Sequence, residues 1–166
     1  DIIGFRLMSN MNHLSAVDWF KEYAPNSGTS GQLIEVDGYE GLRVGNTIYV
    51  AATNFTNTNL YTNIYAFSYN IGARPSTINI YNQLINNLKL NTNLDIQDNS
   101  NTCFGNNTIE CLSDYDCGVG DYCSSVGAKL NRDTERLGDL MHIKGYLDSY
   151  GNNDKYCSVN SIPCFN

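Results

Sequence analysis

The stretch Leu33-Ile34-Glu35-Val36, then Tyr39-Glu40-Gly41-Leu42-Arg43-Val44, Gly45-Asn46 and Thr47-Ile48-Tyr49-Val50-Ala51-Ala52 decides the fold. From Gln32 onward the side chains follow a period of two and are rich in β-branched and aromatic residues, which is the pattern of strands. Gly45-Asn46 separates two such runs by two residues, and glycine and asparagine tolerate the left-handed backbone that a tight hairpin needs. The sheet is therefore expected to be antiparallel. After a polar loop, Leu60-Tyr61-Thr62-Asn63-Ile64-Tyr65-Ala66-Phe67-Ser68-Tyr69 adds another strand. Tyr61, Asn63, Tyr65, Phe67 and Tyr69 share one face and Leu60, Ile64 and Ala66 the other. The tyrosines are read as half-buried packing rather than as a recognition surface.

Upstream, residues 2–8 (Ile-Ile-Gly-Phe-Arg-Leu-Met) read as a strand. Ser15 then offers an N-cap with Asp18 three positions on, Leu14 and Trp19 sit at staple positions, and the helix ends near Tyr23 before Pro25 and Asn26-Ser27-Gly28. Downstream, Pro75-Ser76-Thr77 starts a helix in which Tyr81, Leu84, Ile85 and Leu88 recur at helical spacing. Residues 1–95 thus form one α+β unit with three or four antiparallel strands and two helices. A polar linker over 96–102 leads to a cysteine-rich acidic segment, 103–128. Residues 129–166 carry an amphipathic helix from about Asn131 to Tyr150 and a C-terminal loop. In that helix Leu137, Leu140, Met141, Ile143, Leu147 and Tyr150 oppose Arg132, Glu135, Asp139 and Asp148. The fold class is α+β: an antiparallel sheet, two or three packed helices, and a disulfide-stapled segment.

All six cysteines (Cys103, Cys111, Cys117, Cys123, Cys157 and Cys164) fall in the last 64 of 166 residues, and none is spaced as a C-x2–4-C zinc knuckle. An even, clustered set of this kind points to disulfides and an oxidising compartment, extracellular or at the cell surface. Cys157 is expected to close a loop with Cys164, leaving the first four to staple one another. Residues 103–127 hold four cysteines, four acids and no lysine or arginine, so cross-links must supply what a core would. The opening Asp1-Ile2-Ile3-Gly4-Phe5 lacks the basic start of a signal peptide, so an exported chain would be numbered from after processing, or equally the sequence would begin at the edge of a fragment.

The chain carries 17 acidic against 10 basic residues, a formal charge of −7. No basic patch exists to neutralise phosphates or anionic lipids, which speaks against nucleic-acid and membrane-surface partners. No run reaches the roughly 18 apolar residues of a membrane span, so no membrane insertion is expected. Asparagine accounts for 16 of the 62 residues from Asn46 to Asn107, and Asn54 and Asn106 open glycosylation sequons.

The two histidines, His13 and His142, have no metal-pair spacing, and H-E-x-x-H, G-x-S-x-G and phosphate-loop motifs are missing. Gly28-Thr29-Ser30-Gly31 reads as a flexible loop. The chain is accordingly read as a non-enzyme. Asp114, Asp116 and Asp121 resemble the first half of a calcium loop, although Gly118 stands at its fifth position and no Glu closes the twelfth. Calcium is the one cofactor this pattern suggests. Asp148 to Asp154 is a weaker echo of it.

Cys111-Leu-Ser-Asp114-Tyr-Asp116-Cys117-Gly-Val-Gly-Asp121-Tyr122-Cys123 is similar to the C-x-x-D-x-D-C-x-x-G-x-Y-C pattern of small extracellular cysteine-rich modules, which implies a stapled binding or spacer unit. Residues 131–156 resemble the periplasmic half of the long helix of type IV pilins and pseudopilins, through Arg132-Asp133-Thr-Glu-Arg136-Leu137-Gly-Asp139-Leu140-Met-His-Ile143-Lys-Gly-Tyr-Leu147-Asp-Ser-Tyr150 and the turn Gly151–Tyr156. Pilins carry that helix at the N-terminus, fused to a hydrophobic segment. Residues 37–65 resemble uncharacterised surface proteins of small-genome bacteria. These likenesses imply an extracellular structural protein, a subunit of a pilus-like filament or surface layer. Its partners would be further copies or neighbouring surface proteins, with Ile2, Ile3, Phe5 and Leu7 serving as an added strand in assembly. The alternative is a secreted adhesive or ligand-binding module, with or without calcium.

Overall fold

The structure, a computed structural model, describes residues 1–24, 31–56, 59–95 and 101–151. Five strands form one antiparallel sheet: β1 (Ile3–Ser9), β2 (Gln32–Val36), β3 (Tyr39–Val44), β4 (Thr47–Thr56) and β5 (Asn59–Tyr69). Their order is β1-β5-β4-β3-β2, so β2 to β5 are a meander and β1 is an edge strand beside β5. The turns follow from their residues. Asp37 and Gly38 take φ of 52° and 78° between β2 and β3, and Gly45 takes 59° between β3 and β4. Both are backbone states that glycine and aspartate reach cheaply. The sheet has more strands than the three or four expected, because all five strand-like runs, β1 included, join it. Strand β4 is also longer than expected, continuing through Thr53-Asn54-Phe55-Thr56, which pair with Asn59–Thr62. The polar composition of these residues had suggested a loop; the ladder to β5 holds them extended.

Helices cover both faces. On one, α2 (Pro75–Asn86) lays Tyr81 and Ile85 over Ile48, Val50, Ala52 and Phe67. Tyr81 is fully buried and donates its hydroxyl to the Phe67 carbonyl at 3.0 Å. Burial pushes its pKa up to about 12. Tyr65 and Tyr69 are partly buried against this cluster, as packing rather than display. On the other face, α1 (Ala16–Tyr23) seats Trp19 against Leu14 and Ile64, and Phe20 against Leu42. Ser15 caps α1, accepting the Asp18 amide at 3.0 Å, and Leu14 and Trp19 meet as a staple should.

The short α3 (Thr92–Asp95) precedes the cysteine-rich segment. There Cys103 bonds to Cys117 and Cys111 to Cys123, so the first four cysteines do staple one another. The Cys157–Cys164 pairing and most of the linker lie outside the described residues. With Ala128, three of these cysteines make a small core of their own. The last helix, α4 (Val126–Gly151), starts five residues before the apolar periodicity does. Ser125 caps it, its hydroxyl accepting the Ala128 amide at 3.1 Å. The first half of α4 crosses β4 on the α1 face, while residues 139–150 are exposed on every side. The expected stripe is therefore only partly packed: Leu140, Ile143, Leu147 and Tyr150 face solvent, because the 26-residue helix outruns the sheet it lies on. Among the described residues, no helix is long and apolar enough to cross a membrane.

Candidate functional site

Where the stapled segment meets the sheet, the packing leaves a cleft of about 320 Å³. Its floor is the α1-side face of β3, β4 and β5, through Glu40, Thr53 and Thr62; α4 forms one wall and the start of α1 the other. Ser113, Asp114 and Tyr115 close the end. The volume lies at the lower end of the range for small-ligand sites.

Glu40 occupies the floor because β3 alternates. It shares a face with Leu42, which is buried in the α1 cluster, so the chain places a carboxylate where a core residue would sit. Burial raises the pKa of Glu40, and the charge of Asp18 adds to this; the first-turn amides of Ala16 and Val17 bond the carboxylate and pull the other way. Oε1 of Glu40 is buried and has no hydrogen-bond partner among the described residues. Glu135 on α4 is exposed at its outer side, yet its pKa is raised too, by partial desolvation first and then by the charges of Glu40, Asp114 and Asp139, against Arg132. Carboxylates whose pKa is raised by their surroundings, or that lack a hydrogen-bond partner, are common where a protein binds or reacts.

The cations nearby are already engaged. Arg132 bonds Asp114 at 2.5 Å and the Cys123 carbonyl at 3.1 Å, and its guanidinium lies 5.0 Å above the centre of the Tyr122 ring. Burial acts to raise the pKa of Asp18, but hydrogen bonds from Lys21 and Ser15, with the charges of Lys21 and His142, together bring it below its ordinary value. Polar groups continue along the floor: His13 Nδ1 lies 2.9 Å from Thr62 Oγ1, which is 3.4 Å from Thr53 Oγ1. His13 sits at φ 55°, a left-handed backbone uncommon outside glycine. At Gly138 the α4 backbone passes so close that a Cβ would stand 2.9 Å from the His13 carbonyl. The arrangement can hold a positively charged group between Glu40 and Glu135 and hydroxyls along Thr53 and Thr62.

Of the site residues singled out from the sequence, Asp114 and the two histidines line the cleft, and the others are placed elsewhere. Besides the Arg132 contact, Asp114 accepts the Cys123 amide at 2.8 Å. Asp116 accepts the amides of Leu112 and Ser113, and Asp121 those of Gly105 and Tyr122. Asp114 and Asp116 belong to one turn and Asp121 to another, and each accepts from different backbone amides. The one close grouping of three metal-donor side chains among the described residues is Cys103, Cys111 and Cys117, whose sulfurs are in disulfides. Asn54 exchanges amide hydrogen bonds with Asn93, and exposed Asn106 accepts from Thr108 of its own sequon. Ile2, Phe5 and Leu7 are exposed on and beside the edge strand, and Ile3 is partly buried. His142 joins the cleft lining from α4.

Comparison with protein-family models, with curated proteins and with solved structures gives no match.

Proposed function

We propose that this chain is an extracellular binding module whose cleft receives a small ligand bearing a protonated amine. One observation carries the reading: Glu40 and Glu135 sit within one cleft, both with raised pKa values, and Glu40 Oε1 is buried without a partner. A buried carboxylate oxygen without a hydrogen-bond partner costs stability. An ammonium group from a ligand would supply the charge and the missing hydrogen bond, while Thr53 and Thr62 are placed to meet neighbouring hydroxyls. The disulfides support an oxidising compartment. The test is amide chemical-shift mapping with glucosamine and, as a neutral analogue, N-acetylglucosamine. The reading expects glucosamine to shift residues around Glu40, Thr53 and Arg132; equal shifts from both sugars, or none, would contradict it. Calcium serves as a second cation, and shifts confined to residues 114–121 would favour the calcium-loop alternative.

The reading of the chain as a subunit of a surface assembly rests on a separate observation. Two apolar surfaces, β1 and the second half of α4, lie exposed on the described protein.

A further inference from the structure

Among the described residues, strand β1 has one side hydrogen-bonded and the other open. Asn70 donates to the Ile2 carbonyl at 3.1 Å, and Asn10 donates to the Thr62 carbonyl at 3.1 Å. Antiparallel ladders alternate, so Ile2, Gly4, Arg6, Met8 and Asn10 face β5 with their backbone groups. Ile3, Phe5, Leu7 and Ser9 therefore turn their N–H and C=O groups outward along the free edge. The same four residues place their side chains on the α2 face, where Phe5 lies 5.2 Å from Phe67 and 6.1 Å from Tyr65 between ring centres. Phe5 and Leu7 are 61% and 53% exposed.

Natural sheets shield such edges with lysine, proline, bulges or inward charges. From Ile2 to Ser9 there is no acid, no lysine and no proline, and Arg6 points to the opposite face. The apolar strip continues onto α2. Thr77 reaches Asp1 at 2.7 Å, which fixes the flank of α2 that looks toward β1. Ile80 and Leu84, exposed at 58% and 40%, follow Thr77 along that flank at helical spacing.

We propose that β1 is a self-association edge, pairing antiparallel with β1 of a second copy to join two five-stranded sheets into one. The strand is complementary to itself, and its charge selects the register. Centring the two-fold axis on Phe5 opposes Phe5 to Phe5 and Ile3 to Leu7 in hydrogen-bonded pairs, and sets Arg6 opposite Gly4. Shifting the register by two residues toward the C-terminus would set the two Arg6 side chains directly opposite each other, which is unfavourable. In a chain of net charge −7, this is also an edge along which two copies meet without opposing carboxylates. A two-fold axis here keeps both α2 helices on one side, so Phe5, Leu7, Ile80 and Leu84 of each copy would line a shared valley and lose their exposure. The pairing is independent of the cleft, so either reading can fail alone.

The experiment is sedimentation equilibrium of the full chain over a wide concentration range, with cysteine cross-linking to read the register. The mass should rise from 18.5 kDa to twice that value. Phe5→Lys should stay at the lower mass. Phe5→Pro should too, since it removes an outward N–H and spares the bonds to β5; near-ultraviolet circular dichroism shows whether each variant is folded. Hydrogen-bonded pairs lie about 5.5 Å apart at Cα, within disulfide reach. Phe5→Cys should therefore form several-fold more disulfide-linked dimer than Arg6→Cys. A wild-type chain that remains monomeric at the highest concentration, folded Phe5→Lys that associates like wild type, or equal cross-linking at positions 5 and 6 would each overturn the proposal.

Discussion

Replacing Cys103 and Cys117 together by alanine tests how the stapled segment is held. The bridge joins residues 14 apart, and closing a loop of about 15 residues restricts the unfolded chain by about 3 kcal/mol. The segment has little apolar core besides the staples: its buried cluster consists of Cys103, Cys111, Cys123 and Ala128, with Cys117 packed against them. The loss should reach the rest of the molecule, because Ala128 belongs to α4 and α4 lies across β4. For a chain of this length, about 3 kcal/mol corresponds to a fall in melting temperature of about 6–12 °C. The matched removal of Cys111 and Cys123, 12 positions apart, should cost nearly the same. Differential scanning calorimetry of the oxidised variants gives the answer. A melting temperature within about 2 °C of wild type, or a separate early transition that leaves the main one unmoved, would refute the coupling of the staple to the sheet through α4.

Three further outcomes follow from the packing and the charges. Tyr81→Phe removes a buried hydrogen bond to Phe67 and should cost about 1–2 kcal/mol in urea unfolding, with fold and secondary structure retained. Gly138→Ala forces a Cβ against the His13 carbonyl and should cost about 1–3 kcal/mol, read as a lower urea midpoint, whereas Gly145→Ala, with open space around it, should not. Glu40→Gln should stabilise the protein at neutral pH. The folded-state pKa of Glu40 lies above its ordinary 4.5, so ionisation opposes folding as pH rises through the raised value. Melting temperatures of variant and wild type should differ at pH 7 and converge as the pH falls below 4.5.

The sheet was largely legible because its signals are local. Alternation over Tyr39–Val44 and Thr47–Ala52, with Gly45-Asn46 between, specifies a hairpin without help from distant residues. The cap at Ser15 was readable for the same reason. The start of α4 was missed because Val126-Gly127-Ala128 carries little helical periodicity, and the deciding signal is a single hydroxyl at Ser125. The exposure of Leu140, Ile143 and Leu147 could not be read from an apolar stripe, since a stripe does not say whether a partner lies under it. The cleft was the least legible feature. Glu40 and Glu135 are brought together only by the crossing of α4 over β4, and no single-sequence pattern encodes that crossing. One trace was present: Glu40 falls on the same alternating face as Leu42, so an acid stood at a core position.

The central claim is that the cleft carboxylates bind a protonated amine, and isothermal titration of glucosamine into wild type and Glu40→Gln tests it most directly, with N-acetylglucosamine as the neutral control. The account predicts saturable heat with wild type near neutral pH, weakening as the pH falls and Glu40 and Glu135 take up protons. It predicts at least a severalfold loss with Glu40→Gln and no heat from the acetylated sugar. Equal binding by wild type and Glu40→Gln, or by both sugars, would contradict it.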